Sequence, residues 1–141
     1  MNNTLVDKLK ELSSAHLKID LEYDAIKHFR MQLQADLETS NPTTPRTFGD
    51  IAVTTKAEKE LACQRLLNRM TDLDTEFDHL NEQLQNATHA PGFVQLCKEV
   101  ATPVGHPERE ELLKTLARTG HDAAIDRANA ALRLVAMQAP Q

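Results

Sequence analysis

The chain has 141 residues, 16 basic against 21 acidic side chains for a formal net charge of −5, and 4% aromatics with no Trp. That length limits it to one domain or a long hairpin with a small appendage, and so few aromatics require an aliphatic core of Leu and Ala. The sequence has no run of about 18 apolar residues, which excludes a bilayer span, and the acidic balance counts against nucleic acid as a partner.

Met1 to Lys10 is polar and already patterned like the residues after it. It lacks the apolar stretch of a secretion signal, and the expected location is therefore the cytoplasm. From Leu5 to Leu37 an unbroken alternation of three and four picks out Leu5, Leu9, Leu12, His16, Ile19, Tyr23, Ile26, Arg30, Leu33 and Leu37. This is a heptad seam, and it predicts a long first helix, capped by Asn2 or Asn3 and ended by Asn41-Pro42. Three seam positions are polar, His16, Tyr23 and Arg30, at intervals of seven. Polar seam residues weaken a coiled coil but fix its register, and Arg30 and His16 are expected to reach past the seam to water or a carboxylate. Leu17, Leu21, Met31 and Ala35 form a weaker stripe on the back of this helix, which calls for a third element or a second subunit.

Residues 40–53 hold two prolines and Gly49-Asp50, and are read as a linker. Phe48, Ile51 and Val53 either tuck over the end of the hairpin or serve as a docking segment, with burial favoured for a lone large side chain. Thr55-Lys-Ala-Glu58 has the spacing of a capping box, which starts a second helix near Thr55 or Lys56. Its seam is Cys63, Leu66, Met70, Leu73, Phe77, Leu80, Leu84 and Ala87, and it should run to about Thr88. Equal stripes and a reversing loop make the two helices antiparallel, with Leu37 level with about Leu61.

That pairing gathers Asp20, Glu22 and Asp24 beside Asp72, Asp74, Glu76 and Asp78, an acidic belt whose two local segments contain no Lys or Arg. Like charges four apart, such as Asp20/Asp24, Asp72/Glu76 and Asp74/Asp78, cost a few tenths of a kcal/mol each in an isolated helix. The belt reads as a solvated face or as a surface that selects a basic protein. Glu76 with His79 and Asp24 with His28 have metal-ligand spacing, but the heptads turn both histidines outward.

After Gly92, Phe93, Leu96, Cys97 and Val100 mark a short helix ended by residues 102–105. Pro107 opens another, with Glu108, Glu110 and Glu111 at its positive end and Leu112, Leu113, Leu116 and Ala117 on its apolar face. Gly120 stops it, and Asp122 caps a last helix that buries Ala124, Ile125, Ala128, Ala131, Leu132 and Val135. A helix-turn-helix reading fits poorly, because that last helix offers only Arg127 and Arg133 as cations, and residues 91–141 carry six basic and six acidic side chains. Cys63 and Cys97 are read as small buried hydrophobes rather than a disulfide.

The expected fold is all-α, a long antiparallel hairpin over 1–90 with two or three short helices in 91–141 packed on it as part of the same domain. The expected function is non-enzymatic protein binding, as an adaptor, chaperone-like factor or inhibitor, in a homodimer. Leu17, Leu21 and Phe48 supply apolar anchors, and the acidic belt meets a basic partner. A nucleic-acid-associated regulator and a metal-binding carboxylate and histidine bundle are the alternatives. No catalytic residue, cofactor or metal is assigned.

Overall fold

The computed structural model describes residues 3–40, 42–100, 105 and 107–138. The elements run α1 (Asn3–Glu38), β1 (Arg46–Phe48), β2 (Ile51–Val53), α2 (Lys56–His89), α3 (Pro91–Val100), α4 (Arg109–Leu116), a 3-10 turn (His121–Ala123) and α5 (Ala124–Gln138). The fold is all-α, a long antiparallel hairpin of α1 and α2 with short C-terminal helices packed on it, and a two-stranded β-hairpin in the connection. Two compact units divide the chain, Lys18–Glu76 and the pair Met1–Leu17 with Phe77–Gln141. No helix among the described residues is long and apolar enough to cross a membrane.

In the unit Lys18–Glu76, Ile26, Phe29 and Leu33 of α1 meet Ala62, Leu66, Met70 and Leu73 of α2, with Val53 of β2 closing the cluster. These residues recur at three and four along each helix, so each apolar stripe stays turned toward the other helix. Glu22 pairs with Arg69 and Asp36 with Lys59, so numbers rise on α1 as they fall on α2 and the two helices are antiparallel. Asp36 reaches Lys59, while Leu61, expected beside Leu37, is 53% exposed.

The connection is more ordered than a linker. Gly49, at φ +57°, and Asp50 form a two-residue turn, and Arg46, Thr47 and Phe48 pair with Val53, Ala52 and Ile51. Asp50 has negative φ, so only the first central residue is left-handed, as in a type II′ turn, which matches the twist of paired strands. Ile51 and Val53 face inward and Ala52 outward, the period-2 alternation of a strand. α2 begins at Lys56 behind the expected capping box. The Thr55 hydroxyl accepts from the Glu58 N–H at 3.2 Å, and the Glu58 carboxylate accepts from the N–H groups of Thr55 and Thr54 at 2.9 and 3.1 Å. These donors hold the Glu58 carboxyl below its ordinary range.

In the other unit, Val6, Leu9 and Leu12 of α1, Leu80 and Leu84 of α2, Phe93 and Leu96 of α3, and Ala124, Ala128, Ala131 and Leu134 of α5 are buried. Pro91, lacking an N–H that the first turn of a helix does not use, opens α3. α5 packs against α3 and α4, and its alanines allow close approach. Gly120, at φ +103° and ψ 163°, takes a backbone conformation reserved for glycine, and the chain enters α5 through the 3-10 turn rather than through an Asp122 cap. Asn3 is already the first residue of α1, and the alternative cap Asn2 and the expected break at residues 102–104 lie outside the described residues.

Candidate functional site

The acidic residues of the unit Lys18–Glu76 are less exposed to one another's repulsion than their sequence suggests. Arg69, one turn before Asp72 on α2, grips Glu22 with two hydrogen bonds, Nε to Oε2 at 2.7 Å and a terminal nitrogen to Oε1 at 3.0 Å. The same guanidinium lies 3.6 Å from Glu76. It holds the Glu22 carboxyl below the usual carboxylate range, through the hydrogen bonds first and the Coulomb attraction second. The belt is thus partly neutralised by a cation outside the two segments first considered. Asp20, Asp24, Asp72 and Asp74 stay exposed, and Asp78 is exposed in the other unit. Both partners of the Arg69–Glu22 pair are about 40% exposed, so it contributes at most about 1 kcal/mol.

The seam polars have found partners of three kinds. His16 packs its ring against Phe77, with centroids 4.8 Å apart. Tyr23 is half-buried against the core of its unit. Arg30 reaches no carboxylate among the described residues. Its Nε donates to the Cys63 carbonyl at 3.2 Å, and a terminal nitrogen lies 3.8 Å from the Met70 sulfur. It therefore stays within the seam, lying along α2. Phe48, considered above as a docking anchor, is turned inward and stacks on Phe29 with ring centroids 5.0 Å apart and planes 20° apart.

Leu21 and Met31 are 61% and 57% exposed on the α1 segment of the unit Lys18–Glu76, and Leu17 is 58% exposed in the other unit. Leu21, Asp24, His28, Met31 and Ala35 follow one another at three and four, all of them exposed. This is a second line of heptad period that the chain's own described residues leave uncovered. The His28 ring lies 2.8 Å from the Asp24 carbonyl, and the exposed His79 faces Glu82 at 4.0 Å. Among the described residues no group of three or more His, Cys, Asp or Glu could hold a metal ion.

Two charged clusters escaped the sequence reading. Asp36 is buried between Arg46, which it binds through both carboxylate oxygens at 2.8 Å, and Lys59, whose Nζ lies 3.0 Å away and is also 2.6 Å from the Pro42 carbonyl. Lys59 is wholly buried. Hydrogen bonds from Arg46 and then Lys59 push the Asp36 carboxyl far below its ordinary value. The cluster ties α1, the start of the connection, β1 and α2 together. Its signal in the sequence was position: Asp36 continues the buried line Phe29, Leu33, and Lys59 precedes Ala62 and Leu66 on the facing one.

The second cluster centres on Arg127, which is buried in α5. Its guanidinium donates to the Arg118 and Gly120 carbonyls at 2.9 and 3.2 Å, to the Thr88 hydroxyl at 2.9 Å and to the Gln85 side chain at 3.2 Å. Burial lowers its pKa. A residue counted above as a possible nucleic-acid contact is thus an internal tie between the turn before α5 and the end of α2. Arg133, the other cation considered, pairs with Glu108. Cys63 and Cys97 are free, half-buried thiols whose pKa values are raised by burial.

A groove of about 340 Å³ runs between β2 and the first turns of α2, lined by Asp50, Ile51, Ala52, Val53, Glu58, Leu61, Ala62 and Arg65. Comparison of the chain with protein-family models, with curated proteins and with solved structures finds no match.

Proposed function

We propose that the chain is a non-enzymatic protein-binding module, an adaptor, chaperone-like factor or inhibitor, acting as a homodimer or against one partner. The observation that supports this most is the outer line of α1, where Leu21 and Met31 remain more than half exposed at heptad spacing. Burying one such side chain contributes about 2 kcal/mol, which an uncovered helix forgoes and a docked helix recovers. The exposed Asp20, Asp24, Asp72 and Asp74 flank this unit with negative charge that favours a basic rim on the partner. The partial neutralisation by Arg69 makes apolar contact the main source of affinity and leaves charge to steer the approach.

The test is paired affinity capture from the native host with the wild-type chain and a Leu21→Lys, Met31→Lys double variant. Both positions are exposed, so the variant should keep its helical circular dichroism. Wild type should retain one or more proteins, or a second copy of itself, that the variant loses. The same proteins on both baits would remove α1 as the contact surface.

A further inference from the structure

Among the described residues β2 has one partner strand, β1, and its other edge carries no strand. The register shows which backbone groups that edge presents. Phe48 and Ile51 close a two-residue turn, so they exchange both of their hydrogen bonds, as do Arg46 and Val53 two steps on. Between them Ala52 must direct its N–H and C=O away from β1. One donor and one acceptor therefore face outward along the strand, beside the groove that β2 forms with α2. Unpaired strand edges are templates for another strand, and although this one is short its residues, Ile51, Ala52 and Val53, include no proline and no charge to block pairing.

The opposite wall is chemically ordered. Glu58, then Leu61 with Ala62, then Arg65 come on successive turns of α2. The Glu58 carboxylate is engaged by the N–H groups of Thr54 and Thr55. Leu61 is 53% exposed over the apolar floor of Ile51, Val53 and Ala62. Arg65 is exposed and makes no ion pair among the described residues. One turn of helix rises about 5.4 Å, close to the roughly 6.7 Å between like-facing residues of an extended strand. The alternate side chains of a strand that runs along α2 in the groove would fall against Leu61 and Arg65.

We propose that this groove is a strand-addition site for an extended peptide segment of a partner protein, with a large apolar residue seated on Leu61 and an acidic residue two positions away paired with Arg65. The backbone of the segment would bond to Ala52, giving affinity without sequence, while the two α2 side chains give selectivity. The Asp36, Arg46 and Lys59 cluster holds the β-hairpin in place beforehand, so little ordering accompanies binding. This site is separate from the outer line of α1, and either can fail alone.

The experiment is selection of a random nine-residue peptide library on the full-length chain, followed by titration of the enriched peptides into isotope-labelled protein. Enriched sequences should share an apolar and an acidic residue two apart, and their binding should shift the amide resonances of Ala52, Leu61 and Arg65. Leu61→Asp should weaken them at least about tenfold, and Arg65→Glu should do the same while turning the preference from acidic to basic. The Ala52 amide should become protected from exchange. Absence of enrichment, equal binding by both variants, or an edge already occupied by a second copy of the chain would each overturn the proposal.

Discussion

Asp36 sits where two cations converge on one carboxylate, and their demands on it are unequal. Arg46 is about one-third exposed at its side chain, whereas Lys59 is wholly buried and among the described residues otherwise has only the Pro42 carbonyl. Removing the lysine leaves Asp36 with both bonds to Arg46. Removing the carboxylate leaves a buried ammonium without its counter-charge, the costlier situation. Asp36→Asn should therefore lower the urea midpoint far more than Lys59→Met, and equal losses would contradict this account of the cluster. The pH dependence has a definite sign. Because the folded carboxyl titrates far below its ordinary value of 3.8, the cluster contributes fully above that pH and progressively less below it. Wild type should lose stability on acidification below about pH 4 along a limb that Asp36→Asn lacks. The residues were visible in the sequence, but their role was not: a charged side chain reads as solvated until its distant partners are known. Arg127 hid for the same reason, since its acceptors are backbone carbonyls and the side chains of Gln85 and Thr88.

Elements were legible in proportion to their length. Ten positions of one heptad line defined α1, and α1 in fact runs Asn3–Glu38. The box Thr55 to Glu58 located the start of α2 because its two reciprocal bonds depend only on local geometry. Thr55→Ala should cost about 1 kcal/mol in chemical denaturation, whereas an exposed hydroxyl elsewhere, such as Thr71→Ala, should cost little. An unchanged midpoint for Thr55→Ala would show that packing alone fixes the helix start. The β-hairpin was not legible, since strands of three residues are too short for alternation to stand out, although Gly49-Asp50 announced the turn. Apolar stripes alone tolerate sliding of α1 against α2. The ion pairs Glu22–Arg69 and Asp36–Lys59, made between residues far apart in sequence, do not.

At the scale of the whole molecule, the chain spends its charged residues in two ways. Some are internal ties, as in the Asp36 cluster and Arg127, and others remain at the surface beside leucines that none of the described residues covers. Exposed leucines on a helix weaken solubility without adding stability, and the proposed function assigns them contact with another polypeptide. The candidate site was half legible: Leu17 and Leu21 were found from the second stripe, while the β2 groove required the strand register. The most direct measurement is site-specific photo-crosslinking in the native host, with a benzophenone side chain placed at Leu21 in one strain and at Gln34, an exposed polar position of α1, in another. A discrete adduct from position 21, of a mass fitting a second copy or one partner and absent from position 34, is the predicted result. No adduct from position 21, or the same smear from both positions, would contradict protein binding through α1.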